Sequence, residues 1–140
     1  MAEGLMKLTI LSPERRLLEG ASVDEVTLPT SEGQIQILPG HAPMVGTLAT
    51  GVFGYKNTAG SDSAGVISSG FFEVKDNVVS VMAETLELRG EINLERAKKA
   101  QSQAEDVLKA ADLDEHRFKK YQLKLQRSLV RQQIVAKEHS

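Results

Sequence analysis

Cysteine is missing from all 140 residues. Its absence excludes disulfide staples, thiolate metal sites and thiol catalysis, and it fits a reducing compartment. No run of about 18 apolar residues occurs, so no segment reads as a membrane-spanning helix. The opening Met-Ala-Glu-Gly-Leu-Met-Lys has neither the apolar stretch of a signal peptide nor the arginines of a transit peptide. Any membrane association is therefore expected to be peripheral, through a partner. A further deficit is regional. All 11 glycines and all 4 prolines lie at or before Gly90, and the last threonine is Thr85. Val, Ile and Thr number 20 in residues 1–89 but 5 in residues 91–140. Turn formers and β-branched residues thus share the first part, while the second lacks helix breakers. This division predicts a β-rich domain over residues 1–89 and a helical one over residues 90–140, with the boundary at Gly90. It excludes a uniform helical bundle, a collagen-like chain and a disordered chain.

Charge divides at the same place. Residues 1–89 carry net −5 and residues 90–140 net +3, for a total of −2. Bulk attraction to nucleic acid is not expected from that total.

Within the first ninety residues, short β-capable runs recur between turn signals. They are Met6–Leu11, Val23–Leu28 ending at Pro29, the alternating Gln34–Leu38, Val52–Thr58, Gly65–Ser68, Phe71–Val74 and Val78–Ala83. The tract Ala59–Ala64 and the triplet Lys75-Asp76-Asn77 have hairpin-turn composition. These seven runs point to about eight to ten short strands in all, the pattern of a sandwich or barrel. Between Pro39 and Pro43 stands Gly40-His41-Ala42, a stiff loop that holds His41 in a fixed place. It reads either as a structural turn or as a contact loop.

The last fifty residues read as two helices. Asn93 is a good N-cap, with Ile92 before it as a staple. Leu94, Ala97, Gln101, Ala104, Leu108 and Ala111 then form a narrow, Ala-rich face. Asp112 and Glu115 have the spacing of a capping box that opens a second helix to about Lys137. Its apolar face is expected at Phe118, Tyr121, Leu125 and Leu129, with a spare face at Leu123, Val130 and Ile134. A short connection makes the pair an antiparallel hairpin. From His116 to Lys137 there are seven Lys/Arg and no acid. Lys120, Lys124, Arg127 and Arg131 line one face, where like charges at i,i+4 cost about 0.2–0.5 kcal/mol per pair. Such a stripe is either a solvated face or a dock for an acidic partner.

Motifs for chemistry are wanting. There is no phosphate-binding Gly-rich loop and no nucleophile elbow. His41, His116 and His139 stand far apart without metal-ligand spacing. Glu84 and Glu87 read as solvent-exposed acids rather than an acid–base pair. The aromatics do not interleave with a basic surface, which argues against an RNA platform.

Taken together, Ser31-Glu32-Gly33-x-Ile35-x-Ile37-Leu38-Pro39-Gly40-His41-Ala42-Pro43, then Ser69-Gly70-Phe71-Phe72-Glu73-Val74 and Val78–Ala83, then the trailing hairpin, resemble the epsilon subunit of the F-type ATP synthase over nearly the whole chain. The resemblance implies a flattened ten-stranded β-sandwich followed by an antiparallel two-helix hairpin. It implies a non-catalytic rotor subunit of the central stalk, which couples proton-driven rotation of the c-subunit ring through gamma to ATP synthesis. Such a subunit sits peripherally at the cytoplasmic face of a bacterial inner membrane. Glu32 and His41 match the family's ring-and-stalk contact positions. The hairpin matches a movable inhibitor of ATP hydrolysis, with Lys120, Lys124, Arg127 and Arg131 turned to an acidic loop of the catalytic beta subunits; the alpha subunits are further partners in the complex. No cofactor is required.

Some members bind ATP as a regulatory ligand on the folded hairpin. Glu87, Arg96, Arg127 and Arg131 match that pattern, but Asn93 replaces its Asp and Gln103 replaces a basic residue. Asn93 still caps a helix, so the motif also reads as a helix start alone. The alternative to the rotor subunit is a free-standing β-domain adaptor whose basic helix binds an acidic protein or nucleic acid.

Overall fold

The computed structural model describes residues 6–110 and 112–138. Seven strands, one 3-10 turn and two helices follow one another among these residues. They are β1 (Met6–Leu11), β2 (Arg16–Thr30), β3 (Gly33–Ile37), β4 (Met44–Thr47), β5 (Gly51–Asn57), β6 (Asp62–Lys75), β7 (Val78–Leu88), the turn Arg89–Glu91, α1 (Leu94–Leu108) and α2 (Glu115–Glu138). They fall into two compact units that part between Leu88 and Arg89.

In the β unit, β1, β7, β6, β5 and β2 pair in that order, and β2 pairs back onto β1. The ring is closed, a five-stranded barrel. Its one parallel seam is β1 with β7, from Lys7 opposite Val78 to Leu11 opposite Met82. β3 extends the far half of β2, and β4 the far half of β6. Inside lie Met6, Leu8, Ile10, Val23, Val26, Leu28, Phe53, Ile67, Phe72, Val79 and Val81, all essentially inaccessible. The alternation of the β1 and β7 sequences puts these residues on one face, as a half-buried strand requires.

This corrects the expected ten-stranded sandwich. The strands are fewer because they are longer. Gly65–Ser68 and Phe71–Val74 belong to one strand of 14 residues, β6. It passes the corner at Ser69 (φ 57°) and Gly70 (φ 120°) without losing register on β7, since Ser68 faces Thr85 and Gly70 faces Ala83. At Gly70 an added Cβ would come within 2.0 Å of the Met82 carbonyl oxygen, so only glycine fits the corner. Pro29 likewise does not end its strand. β2 runs on to Thr30, with Pro29 opposite Gln34 of β3 while the β5 pairing covers Val23 to Thr27.

In the helical unit, the Asn93 side chain accepts the Arg96 N–H at 3.0 Å and starts α1, as its sequence position predicts. The second cap differs from the expectation at Asp112. Asp114 accepts the Arg117 N–H through Oδ1 at 2.8 Å, and its carbonyl accepts from Phe118. Asp112 lies in the connecting turn, two residues before that cap.

The interhelical seam is small and mixes apolar side chains with a few polar ones. Ala97 and Ala104 of α1 are buried, and Ser128, Ile134 and Val135 of α2 are buried. Gln132 Nε2 donates to Gln101 Oε1 at 2.7 Å across it. The apolar face expected at Phe118, Tyr121, Leu125 and Leu129 is not the buried one. Phe118 and Leu129 are exposed, and Tyr121 and Leu125 are half-buried. The expected spare face also divides, with Ile134 buried, Val130 half-buried and Leu123 exposed. An Ala-lined partner accepts a small residue, so Ser128 takes the seam position and the larger side chains lie beside it. Ala111, the last member of the expected α1 stripe, lies outside the described residues.

Candidate functional site

Glu32 occupies the tip of the β2–β3 hairpin. Ser31 and Glu32 form its two-residue loop, closed by Thr30 opposite Gly33. Thr30 Oγ1 accepts the Glu32 N–H at 3.2 Å, and Ser31 Oγ lies 3.0 Å from Thr47 Oγ1 of β4. The carboxylate is thus presented to solvent on a braced turn.

His41 lies in the loop between β3 and β4. Leu38-Pro39-Gly40-His41 is a β-turn, with the His41 N–H donating to the Leu38 carbonyl at 3.1 Å and Gly40 at φ 86°. Pro at the second position and a positive-φ Gly at the third are the signature of type II. His41 Nδ1 lies 2.7 Å from the Ala42 carbonyl oxygen, so that nitrogen carries the proton. The ring is half-buried. Glu32 and His41 stand at opposite ends of the five-residue β3, so about 17 Å of strand separates their loops.

Sequence reading missed a third feature beside this loop. Val45 is 72% exposed and Phe71 is 60% exposed, and Val78 and Met82 are also open to solvent. Thr47, Phe71 and Met82 are register partners across β4, β6 and β7, with Leu11 of β1 next to Met82. Val45, two residues before Thr47, shares their face of the sheet. The result is an outward apolar face on the barrel wall. Pro43, Met44 and Val45 line a shallow groove there with Glu73, Val74 and Lys75. Period-2 alternation hides such a face, because Phe71 and Phe72 are adjacent and only register tells which one points out.

In the helical unit, Lys124, Arg127 and Arg131 of the basic stripe line a groove of about 570 Å³ with Tyr121 and with Ala100, Gln103, Ala104, Asp106 and Val107 of α1. Lys124 Nζ lies 4.8 Å from the centre of the Tyr121 ring, within cation–π range. Lys120 is exposed and is not among the lining residues. Lys119, outside the stripe, pairs with Glu115 at 3.3 Å, so one acid of α2 does compensate a neighbouring cation.

Arg96 is exposed in the first turn of α1 and also does not line the groove. Glu87 belongs to β7 of the other unit, where it faces Val66. Glu84 and Glu87, three apart on that strand, project to opposite faces. Among the described residues, no group of three or more His, Asp or Glu is placed to hold a metal ion, and no helix is long and apolar enough to cross a membrane.

Residues 5–89 match the β-sandwich domain of the ATP synthase Delta/Epsilon chain. The chain is 41% identical over 132 residues to the ATP synthase epsilon chain of Trichlorobacter lovleyi, covering 94% of each. It is 39% identical over 137 residues to that of Geotalea uraniireducens, covering 98% of this chain and 97% of that one. The chain belongs to the ATP synthase epsilon-chain family. It is therefore a non-catalytic subunit of that complex, which accords with the lack of catalytic motifs in its sequence. Among solved structures, a chain of the Euglena gracilis mitochondrial ATP synthase, in an assembly described as OSCP/F1/c-ring, superposes with a TM-score of 0.80 at 27% identity, covering 93% of this chain and 79% of that one. A central-stalk/c-ring structure from Tetrahymena thermophila shares the fold, with a TM-score of 0.59 at 17% identity and full coverage of both chains.

Proposed function

We propose that the β unit is a mechanical coupler of the central stalk, which passes rotation of the c-subunit ring through gamma to the catalytic subunits. The observation that carries this reading is the exposed apolar face of Val45, Phe71 and Met82 next to the braced His41 loop. Large apolar side chains grouped in the open on one sheet face and rimmed by polar ones such as Glu73 mark an interaction surface. Glu32 and His41 serve separate contacts, since they stand at opposite ends of β3. On this reading the subunit sits peripherally on the cytoplasmic side of a bacterial inner membrane, held there by the complex.

The helical unit is a movable inhibitor of ATP hydrolysis. Its seam supports this reading. Its buried side chains are few, Ala97, Ala104, Ser128, Ile134 and Val135, which keeps opening of the hairpin within the few kcal/mol that a two-state element requires. Lys120, Lys124, Arg127 and Arg131 then offer the cationic face for an acidic loop of the beta subunits. Membranes carrying the complex with the chain cut at Asp112 test the inhibition. ATP hydrolysis rises if the hairpin inhibits, and an unchanged rate rules the role out.

A second reading, ATP as a regulatory ligand, rests on the interhelical groove. Three cations, an aromatic ring and an apolar floor of Ala100, Ala104 and Val107 fit a nucleotide's phosphates and base. Asp106 and Gln103 on the α1 side weaken the phosphate end. Calorimetry of the isolated chain with ATP and Mg²⁺ measures it directly, and no heat at millimolar ATP ends it.

A further inference from the structure

The type II turn at Leu38–His41 is internally complete but leaves one group over. Its closing bond uses the His41 N–H, and the amide of Gly40 points away from it. That amide donates to Asn77 Oδ1 at 2.8 Å, from the far end of the sheet sequence, 37 residues on.

Asn77 sits in the two-residue turn between β6 and β7, where Asp76 has φ 50° and Asn77 φ 62°. Two successive positive values make a type I′ turn, and Asn and Gly are the residues that enter it at least cost. The backbone of Asn77 is engaged as well, since its carbonyl accepts the Lys7 N–H at 2.9 Å where β1 joins β7. One residue thus ties together the barrel's parallel seam, the β6–β7 turn and the crest of the His41 loop. The loop's own bonds fix its shape. Only a bond to another element fixes where the crest stands relative to the sheet.

We propose that Asn77 is the positioning residue for the His41 contact loop, acting through its side-chain oxygen on Gly40. This rests on the reading of that loop as a contact to the rotor. Two substitutions separate the side-chain role from the turn role. Asn77→Gly keeps the left-handed turn and the carbonyl bond to Lys7 and removes Oδ1. Asn77→Asp keeps an acceptor at the same place.

The test uses amide hydrogen exchange at Gly40 in the full chain, together with ATP-driven proton pumping by membranes carrying the assembled complex. In Asn77→Gly, Gly40 exchange accelerates about two- to tenfold, the factor a net hydrogen bond of this kind is worth. The amides of β6 and β7 stay protected. Pumping per ATP falls in step with the loss of contact-competent loop, and Asn77→Asp restores both. Unchanged Gly40 exchange in Asn77→Gly overturns the proposal. So does accelerated exchange with full pumping, provided that His41→Ala lowers pumping. If His41→Ala also leaves pumping intact, the contact reading itself falls, and the positioning of the loop then stands or falls on the Gly40 exchange alone.

Discussion

Gln132 of α2 reaches across the hairpin to Gln101 of α1 and donates a 2.7 Å hydrogen bond in a seam otherwise lined by Ala97, Ala104, Ser128, Ile134 and Val135. A half-buried polar pair contributes little net energy but penalises any arrangement that leaves either amide unmet. Gln132→Leu is expected to destabilise the closed hairpin by about 1–3 kcal/mol, through the amide of Gln101 left behind. The double change Gln101→Leu with Gln132→Leu costs much less or stabilises. Helix amide exchange across the four chains of this cycle gives the coupling, and additive effects would show that the pair does not fix the register.

The two helix starts make a sharp pair of expectations. Asn93→Ala and Asp114→Ala each lose a side-chain acceptor for a first-turn amide. Each should cost about 1 kcal/mol. Asp112→Ala should be silent, because among the described residues the α2 cap bond goes to Asp114 and not to Asp112. Chemical denaturation followed by helical circular dichroism checks all three.

Gly70→Ala tests the corner of β6. A φ of 120° is strained for any L side chain, and the new methyl would meet the Met82 carbonyl. The conformation alone costs about 1–3 kcal/mol, and the clash adds to it. A lowered thermal midpoint is the expected readout, with the β unit losing its structure first.

The exposed sheet face predicts a separation of stability from assembly. Phe71→Ala removes a side chain that is 60% exposed, so stability should move by less than about 0.5 kcal/mol. Retention of the chain on the purified complex should drop markedly. Normal retention would mean that this face is not the one the partner covers.

The basic stripe divides by geometry. Lys120 stands outside the interhelical groove, while Lys124, Arg127 and Arg131 line it. Lys120→Ala should relieve inhibition of ATP hydrolysis without altering the heat of ATP binding. Arg131→Ala should affect both. Loss of ATP binding in Lys120→Ala would contradict the assignment of the groove.

How much of this was readable beforehand differs from element to element. Asn93 was legible because a cap is a local device, one side chain answering amides two or three residues ahead. Asp112 misled for the same reason. Asp112 and Asp114 both satisfy the local rule, and only the packing of α2 decides which one starts it. Most barrel strands are legible as alternating runs, but β6 reads as two because Ser69–Gly70 looks like an end in sequence and acts as a corner in the sheet, while the Arg16–Ser22 half of β2 and the short β4 carry too little alternation to be read. Lys124, Arg127 and Arg131 were visible as a periodic stripe. Their division from Lys120 depends on where α1 lies, and helical spacing carries no information about that. The outward face of Phe71, Val45 and Met82 needed cross-strand register, which no single strand contains.

The closure of the barrel through β1 and β7 also sets an order of events in synthesis. β1 cannot take its parallel partner until Val78–Met82 has been made, so the ring stays open along that edge for about seventy residues of translation. Non-local parallel pairing of this kind is slow. The helical hairpin needs only near neighbours and is made last. The chain therefore acquires its slowest contact just before its quickest ones. A ribosome stalled before Val78 would hold a β sheet with a naked strand edge, open to the wrong partner.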